Sequence, residues 1–327
     1  MRRWIGWIII LCILAGGATT CAIRWEAWFG NPPEPEYNEP IIAHQFITFD
    51  NDSVSSALQR DTLSFIILGD IHNSLTNDQI TILSQRHPNI QFWAQTGDWM
   101  ERPYLCYEQM MYQSLLGTRL DSLPIVAIPG NHEYLKGVVK TLPEHWKTIF
   151  PNPQNGPSRF LGTTYFVDFP HLRLIAIDTD GLHRMSDYTQ VAFWLKKTLR
   201  EAGNKFTIVM MHHPVYSIAK GRQNPLMWLT FYDAMREADV VFSGHDHNYA
   251  RRTEYYKERF WKKEEPTIFI GTNASTKKYP VKENNKYEAS LSGEPVYEHI
   301  FVTPNTLHIS TYTIHSGERI DNVEIIR

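Results

Sequence analysis

Cysteine is scarce in this chain. Its 327 residues hold three, Cys12, Cys21 and Cys106, too few for a disulfide framework at this size, and none has the spacing of a zinc site. A Cys21–Cys106 bridge would tie a tail to the body and is not expected. Charge of one sign is also lacking: 32 Lys and Arg against 35 Asp and Glu leave a net charge of -3 and a pI near 6.5. Without a basic field there is no grip on a phosphate backbone, so no nucleic-acid partner is expected and any phosphate recognition must be local. Internal repeats and low-complexity tracts are absent.

A long apolar run is missing too, and the N-terminus carries a shorter one. Arg2 and Arg3 precede an apolar stretch over residues 4–18, closed by Gly16-Gly17-Ala18-Thr19-Thr20-Cys21. That is short of the ~20 residues of a spanning helix and fits a secretory signal. The expectation is export, with the chain periplasmic, extracellular or anchored at the membrane by this segment. Cleavage after Ala18, an uncleaved anchor and lipidation at Cys21 stay open; Thr20 stands where a lipoprotein box carries a smaller residue. Residues 1–22 are therefore read as signal peptide or membrane or lipid anchor. Residues 23–60 read as a linker, proline-rich over 31–40 and stiffened by it, with a candidate edge strand at 41–49. The remainder, 61–327, reads as one catalytic domain, and 43% hydrophobic with 13% aromatic residues is ample for its core.

What is present is a set of short polar motifs at the ends of apolar runs. Val240-Val241-Phe242 runs into Ser243-Gly244-His245-Asp246-His247-Asn248-Tyr249, where a turn can aim two imidazoles at one place. Four further apolar stretches of strand length precede Gly69-Asp70-Ile71-His72, Gly97-Asp98, Gly130-Asn131-His132-Glu133 and His212-His213-Pro214. Singly, Asp70, Asp98 or Asn131 is the residue type of a turn or helix cap. Together with the histidines they read as a metal site, because loops beyond the carboxyl ends of strands converge in open α/β sheets. Strands alternate with helical segments near residues 76–85, 104–116, 189–202 and 226–237, and residues 164–169 and 172–177 suggest a hairpin. Beyond Tyr249 three strands are expected, at 267–270, 296–302 and 307–313. The lysine-rich stretch 276–287 reads as a solvated loop.

The five ordered motifs resemble those of the calcineurin-like metallophosphoesterase superfamily, and His212-His213-Pro214-Val215-Tyr216-Ser217 with Gly244-His245-Asp246-His247-Asn248-Tyr249 is most similar to its purple acid phosphatase-like branch. The resemblance implies an α/β fold, a layered β-sandwich core flanked by helices of the αββα type. It also implies two metal ions, divalent or mixed-valence and drawn from Mn, Zn or Fe. Asp70, His72 and His247 would hold one, Asn131, His212 and His245 the other, and Asp98 would bridge them. Imidazoles suit such ions, and one carboxylate can give an oxygen to each of two.

On this resemblance the function is hydrolysis of phosphomonoesters by in-line attack of an activated water, with a small-molecule phosphoester as substrate. A phosphodiesterase on nucleotides or phospholipid headgroups is the alternative, and a non-catalytic binding protein would be missing ligands that are all present here. His132 is expected to protonate the leaving group. In the purple enzymes a tyrosine stands three residues after the bridging aspartate; Glu101 occupies that position, so no phenolate comes from it and a divalent pair is the simpler expectation. Other branches place an aspartate there to hold the catalytic histidine, so Glu101 is expected to accept a hydrogen bond from His132. His213 has no role in the pattern.

Overall fold

A strand buried on both faces needs apolar residues at every position, not at alternate ones. The runs Leu63–Leu68 (β1), Leu172–Ile177 (β5), Phe206–Met211 (β6) and Val240–Ser243 (β7) come close to this, with one polar residue each (Ser64, Arg173, Thr207 and Ser243), and every residue in them is buried. The computed structural model describes residues 30–31, 34–38, 41–49, 58–137, 139–255, 266–283 and 286–327. The signal or anchor assigned to residues 1–22 lies outside them, and among the described residues no helix is long and apolar enough to cross a membrane.

Among the described residues, thirteen strands form two sheets. Phe92–Gln95 (β2), Ile125–Ala127 (β3), Val296–Val302 (β11), Thr306–Thr313 (β12) and Arg319–Ile326 (β13) join β1 in the order β13-β12-β11-β1-β2-β3. Tyr165–Asp168 (β4), Asn248–Glu254 (β8), Thr267–Gly271 (β9) and Ala289–Ser292 (β10) complete the other, ordered β10-β8-β9-β7-β6-β5-β4. The site-bearing strands are parallel within each sheet: β1, β2 and β3 in one, β5, β6, β7 and β9 in the other. Their carboxyl ends therefore share one edge.

The two sheets pack face to face. Phe65, Ile67, Phe92, Ala94 and Val126 meet Leu174, Ala176, Ile208, Met210 and Phe242 in the central layer. The alternate residues face outward onto helices, because side chains along a strand switch faces at each step. Ile66, Leu68 and Trp93 pack with Ile80 and Leu83 of Asn77–Arg86 (α1) and Met111 and Leu115 of Leu105–Leu115 (α2). Val209, Met211 and Val241 pack with Val191 and Leu195 of Met185–Arg200 (α4) and Met227 and Phe231 of Pro225–Met235 (α5). Glu144–Ile149 (α3) sends Trp146 and Ile149 to the first of these outer layers. The helix–sheet–sheet–helix order is the expected one.

Three departures have physical causes. Residues 41–49 form no strand: the segment makes single bonds to two places, Phe46 N–H to Ile149 O at 2.9 Å and Ile125 N–H to Ile47 O at 2.8 Å, and is fixed by burying Phe46 and Phe49. His44 also stacks on Tyr112 at 3.7 Å, so this part of the expected linker is a layer of the domain. Strands β8, β10 and β13 differ from the expectation because their half-exposed edges carry little apolar signal. The lysine-rich stretch is not merely solvated, as its contacts with the site show below.

Candidate metal centre

Every motif sits where its strand ends. Asp70 and His72 follow β1, Asp98 follows β2, Asn131 and His132 follow β3, His212 follows β6, and His245 and His247 follow β7. The backbone must turn sharply at each. Asp70, His72, Asn73, Asp98, His245 and His247 are the non-glycine residues with positive φ among the described residues, at 49° to 72°. Such conformations cost of order 1–3 kcal/mol each and persist where surrounding structure over-determines them. Glycine is required at Gly130, where a Cβ would stand 2.4 Å from Asp98 Oδ1 and 2.8 Å from His212 Cε1.

These turns bring all seven expected ligands together around Asp98. Its Oδ2 lies 3.5 Å from His72 Nε2, which is 3.0 Å from His247 Nε2; His247 Nε2 is 3.8 Å from Asp70 Oδ1. Those four residues each offer a ligand atom within 4.8 Å of the others. Asp98 Oδ1 turns the other way, 3.3 Å from His212 Nε2. That nitrogen is 3.2 Å from Asn131 Oδ1, and His245 Nδ1 lies 2.9 Å from the same amide oxygen. One carboxylate thus faces two donor groups, one oxygen to each. The donor set fits metal ions: it is of imidazole, carboxylate and amide oxygen, and Asp70 Oδ2 is buried with no hydrogen-bond partner.

Burial governs the electrostatics. It keeps His72 and His245 below the usual imidazole range, and brings His247 down to about 3 with help from neighbouring His72. These rings are neutral near pH 7, as metal ligands must be. Burial opposes charge on His212 as well, but the Asp98 and Asp70 carboxylates overcome it and lift that imidazole to about 10. Burial and the neighbouring Asp98 push Asp70 up to about 8. Two carboxylates this close and this deep call for positive charge between them.

The leaving-group candidate His132 borders the cluster, with Nε2 3.9 Å from Asp98 Oδ2. Its Nδ1 is 2.5 Å from the carbonyl oxygen of Glu101; a carbonyl only accepts, so Nδ1 carries a proton. The expected bond from His132 to the Glu101 carboxylate is therefore corrected: the backbone of Glu101 makes it. The carboxylate instead pairs with Lys277 and stands 3.4 Å from His72 Nδ1. Against burial, those two partners hold it down to about 2.

Several supporting residues carry no local signal in the sequence. Glu133 lies within a motif that gives it no role; it accepts from the backbone N–H groups of Asp98, Met100 and Gly130 at 2.7–2.9 Å, and so ties two ligand loops together. His213, without a role in the pattern, is half-buried beside Thr179 and Asp180 and packs against His245. Burial takes it down to about 4. Arg222 donates to His245 Nε2 at 2.6 Å and lies over the Tyr279 ring, and that ring packs on His247. Lys277 and Tyr279 belong to the lysine-rich stretch, which closes over the site.

Comparison with known proteins extends this picture. The family model described as calcineurin-like phosphoesterase matches residues 63–249, more than half of the chain and all five motifs. Glycerophosphodiester phosphodiesterase GpdQ of Enterobacter lignolyticus (strain SCF1) is 26% identical over 133 residues, 38% of this chain; the match spans 45% of that relative, under half its length. Among solved structures, purple acid phosphatase PPD1 from yellow lupin (Lupinus luteus) seeds has a TM-score of 0.63 at 16% identity, over 82% of this chain and 54% of the other. GAP50, the anchor in the inner membrane complex of Plasmodium, has a TM-score of 0.59 at 15% identity, over 82% and 89%. At such identities the likeness is one of fold.

Proposed function

The chain belongs to the calcineurin-like phosphoesterase family and is a hydrolase of phosphoester bonds, and from that premise we propose that it is an exported phosphatase acting on phosphomonoesters at a dinuclear metal centre. The observation that carries the reading is Asp98, with one carboxylate oxygen toward His72 and the other toward His212. Asp70, His72 and His247 would hold one ion, Asn131, His212 and His245 the other, with Asp98 shared. When bound, the ions supply Lewis acidity, neutralising charge on the phosphoryl oxygens and acidifying water for in-line attack.

The protein's own part is positioning and proton delivery. Glu133 fixes the loops of Asp98 and Asn131, and the Glu101 carboxylate braces His72. With Nδ1–H of His132 held by the Glu101 carbonyl, Nε2 is the atom that gives a proton to the departing alkoxide. Arg222 adds positive charge at the rim, which favours the dianion of a monoester over the single charge of a diester. The N-terminal pattern of arginines, apolar run and small residues supports export; recovery of the native protein from the cytosol with residues 1–22 intact would overturn that part.

The test of the reaction is a direct comparison. Purified protein supplied with Mn, Zn or Fe ions is assayed on an aryl phosphomonoester and its diester. Faster turnover of the monoester is expected, and faster turnover of the diester would contradict the assignment.

A further inference from the structure

Beside the metal cluster, on the His132 side, lies a cavity of about 280 Å³ whose lining includes Asn131, His132, Arg102 and Lys136. That is room for the organic part of a small phosphoester. Because His132 is the proposed proton donor to the leaving oxygen, whatever that oxygen is attached to must extend into this space. The cavity is thus the leaving-group subsite of the proposed phosphatase, on which this inference rests.

Its charge is one-sided. Arg102 and Lys136 form no ion pair among the described residues, whereas Glu101, the one acid on its wall, is already matched by Lys277. Lys136 is also anchored: its backbone N–H donates to Asn31 Oδ1 at 2.6 Å and its carbonyl accepts from Asn31 Nδ2 at 2.9 Å. Asn31 therefore fixes the backbone from which the Lys136 side chain extends. A cavity with two cations, no unmatched acid and a proton donor at its floor selects an anion.

The geometry points to a substrate whose leaving group carries a second negative charge, a carboxylate or a further phosphate, recognised by Arg102 and Lys136. Two matched pairs separate these chemistries. Glycerol 3-phosphate and 3-phosphoglycerate differ by a carboxylate; glucose 6-phosphate and glucose 1,6-bisphosphate differ by a phosphate. In at least one pair the doubly charged member should have a kcat/KM about tenfold higher or more. In Arg102→Gln, Lys136→Gln and the double variant that ratio should fall stepwise toward one as each charge-assisted hydrogen bond is removed, while Lys136→Arg keeps it. Taking the ratio within each variant cancels any loss of folded protein. Monoester hydrolysis with ratios near one in both pairs, or ratios unmoved in the double variant, overturns this inference alone. Hydrolysis confined to diesters overturns the monoester reading and the inference with it.

Discussion

At the scale of single residues, one buried acid outside the metal cluster is set against its surroundings. Glu298 lies in β11 between Ile67 of β1 and Thr311 of β12 and is fully buried. Burial pushes its carboxyl up to about 8 from a usual 4.5. The folded state holds this proton more tightly than the unfolded chain, so the group costs nothing below about pH 4.5. The cost grows as the pH rises toward 8, at about 1.4 kcal/mol per unit, to a few kcal/mol. Glu298→Gln should therefore stabilise the protein more at pH 8 than at pH 5. Denaturant midpoints of both proteins at the two pH values measure this, and a stabilisation independent of pH would contradict it. The same scale shows what a motif can and cannot carry. Asp70, His72, Asp98, Asn131, His212, His245 and His247 are legible because each sits in a short polar run at the end of an apolar one. Arg222, Lys277 and Tyr279 are not, since they reach the site from loops with no local pattern. Resemblance alone puts the carboxylate of Glu101 on His132, and the turn after Asp98 sends it to His72 and Lys277 instead.

At the scale of elements, legibility follows burial. Strands β1, β5, β6 and β7 are apolar at all but one position each and are read directly, while β13 alternates Ile and Val with Arg, Asp, Asn and Glu at a sheet edge and is not. The segment 41–49 is the opposite case, with an apolar pattern that looks like a strand. Its order comes from aromatic docking: Phe46 stacks on Phe150 at 5.0 Å and meets Trp99 edge-on at 5.7 Å. Trp99 follows Asp98, so the segment backs that loop of the cluster. Phe46→Ala should cost about 3–5 kcal/mol, the usual penalty for emptying a buried phenylalanine site. A loss under about 1 kcal/mol in chemical denaturation would mean that the segment is a passive covering.

At the scale of the whole molecule, the metal cluster joins the two sheets. Asp70, His72, Asp98 and Asn131 come from loops of the β1-β2-β3 sheet, and His212, His245 and His247 from loops of the β6-β7 sheet. Ions held by both halves would bind the folded state only, and would stabilise it by about 2.7 kcal/mol at a hundredfold excess over Kd. Stripping with a chelator should lower the thermal midpoint by several degrees, and restoring Mn or Zn should bring it back; an unchanged midpoint would place the ions outside the join. The central claim is the shared carboxylate. It is tested by elemental analysis of the purified protein beside Asp98→Asn and His72→Ala. The native protein should hold about two ions per chain, His72→Ala about one and Asp98→Asn fewer still. A native protein with one ion or none, or an Asp98→Asn variant that keeps both, would contradict it.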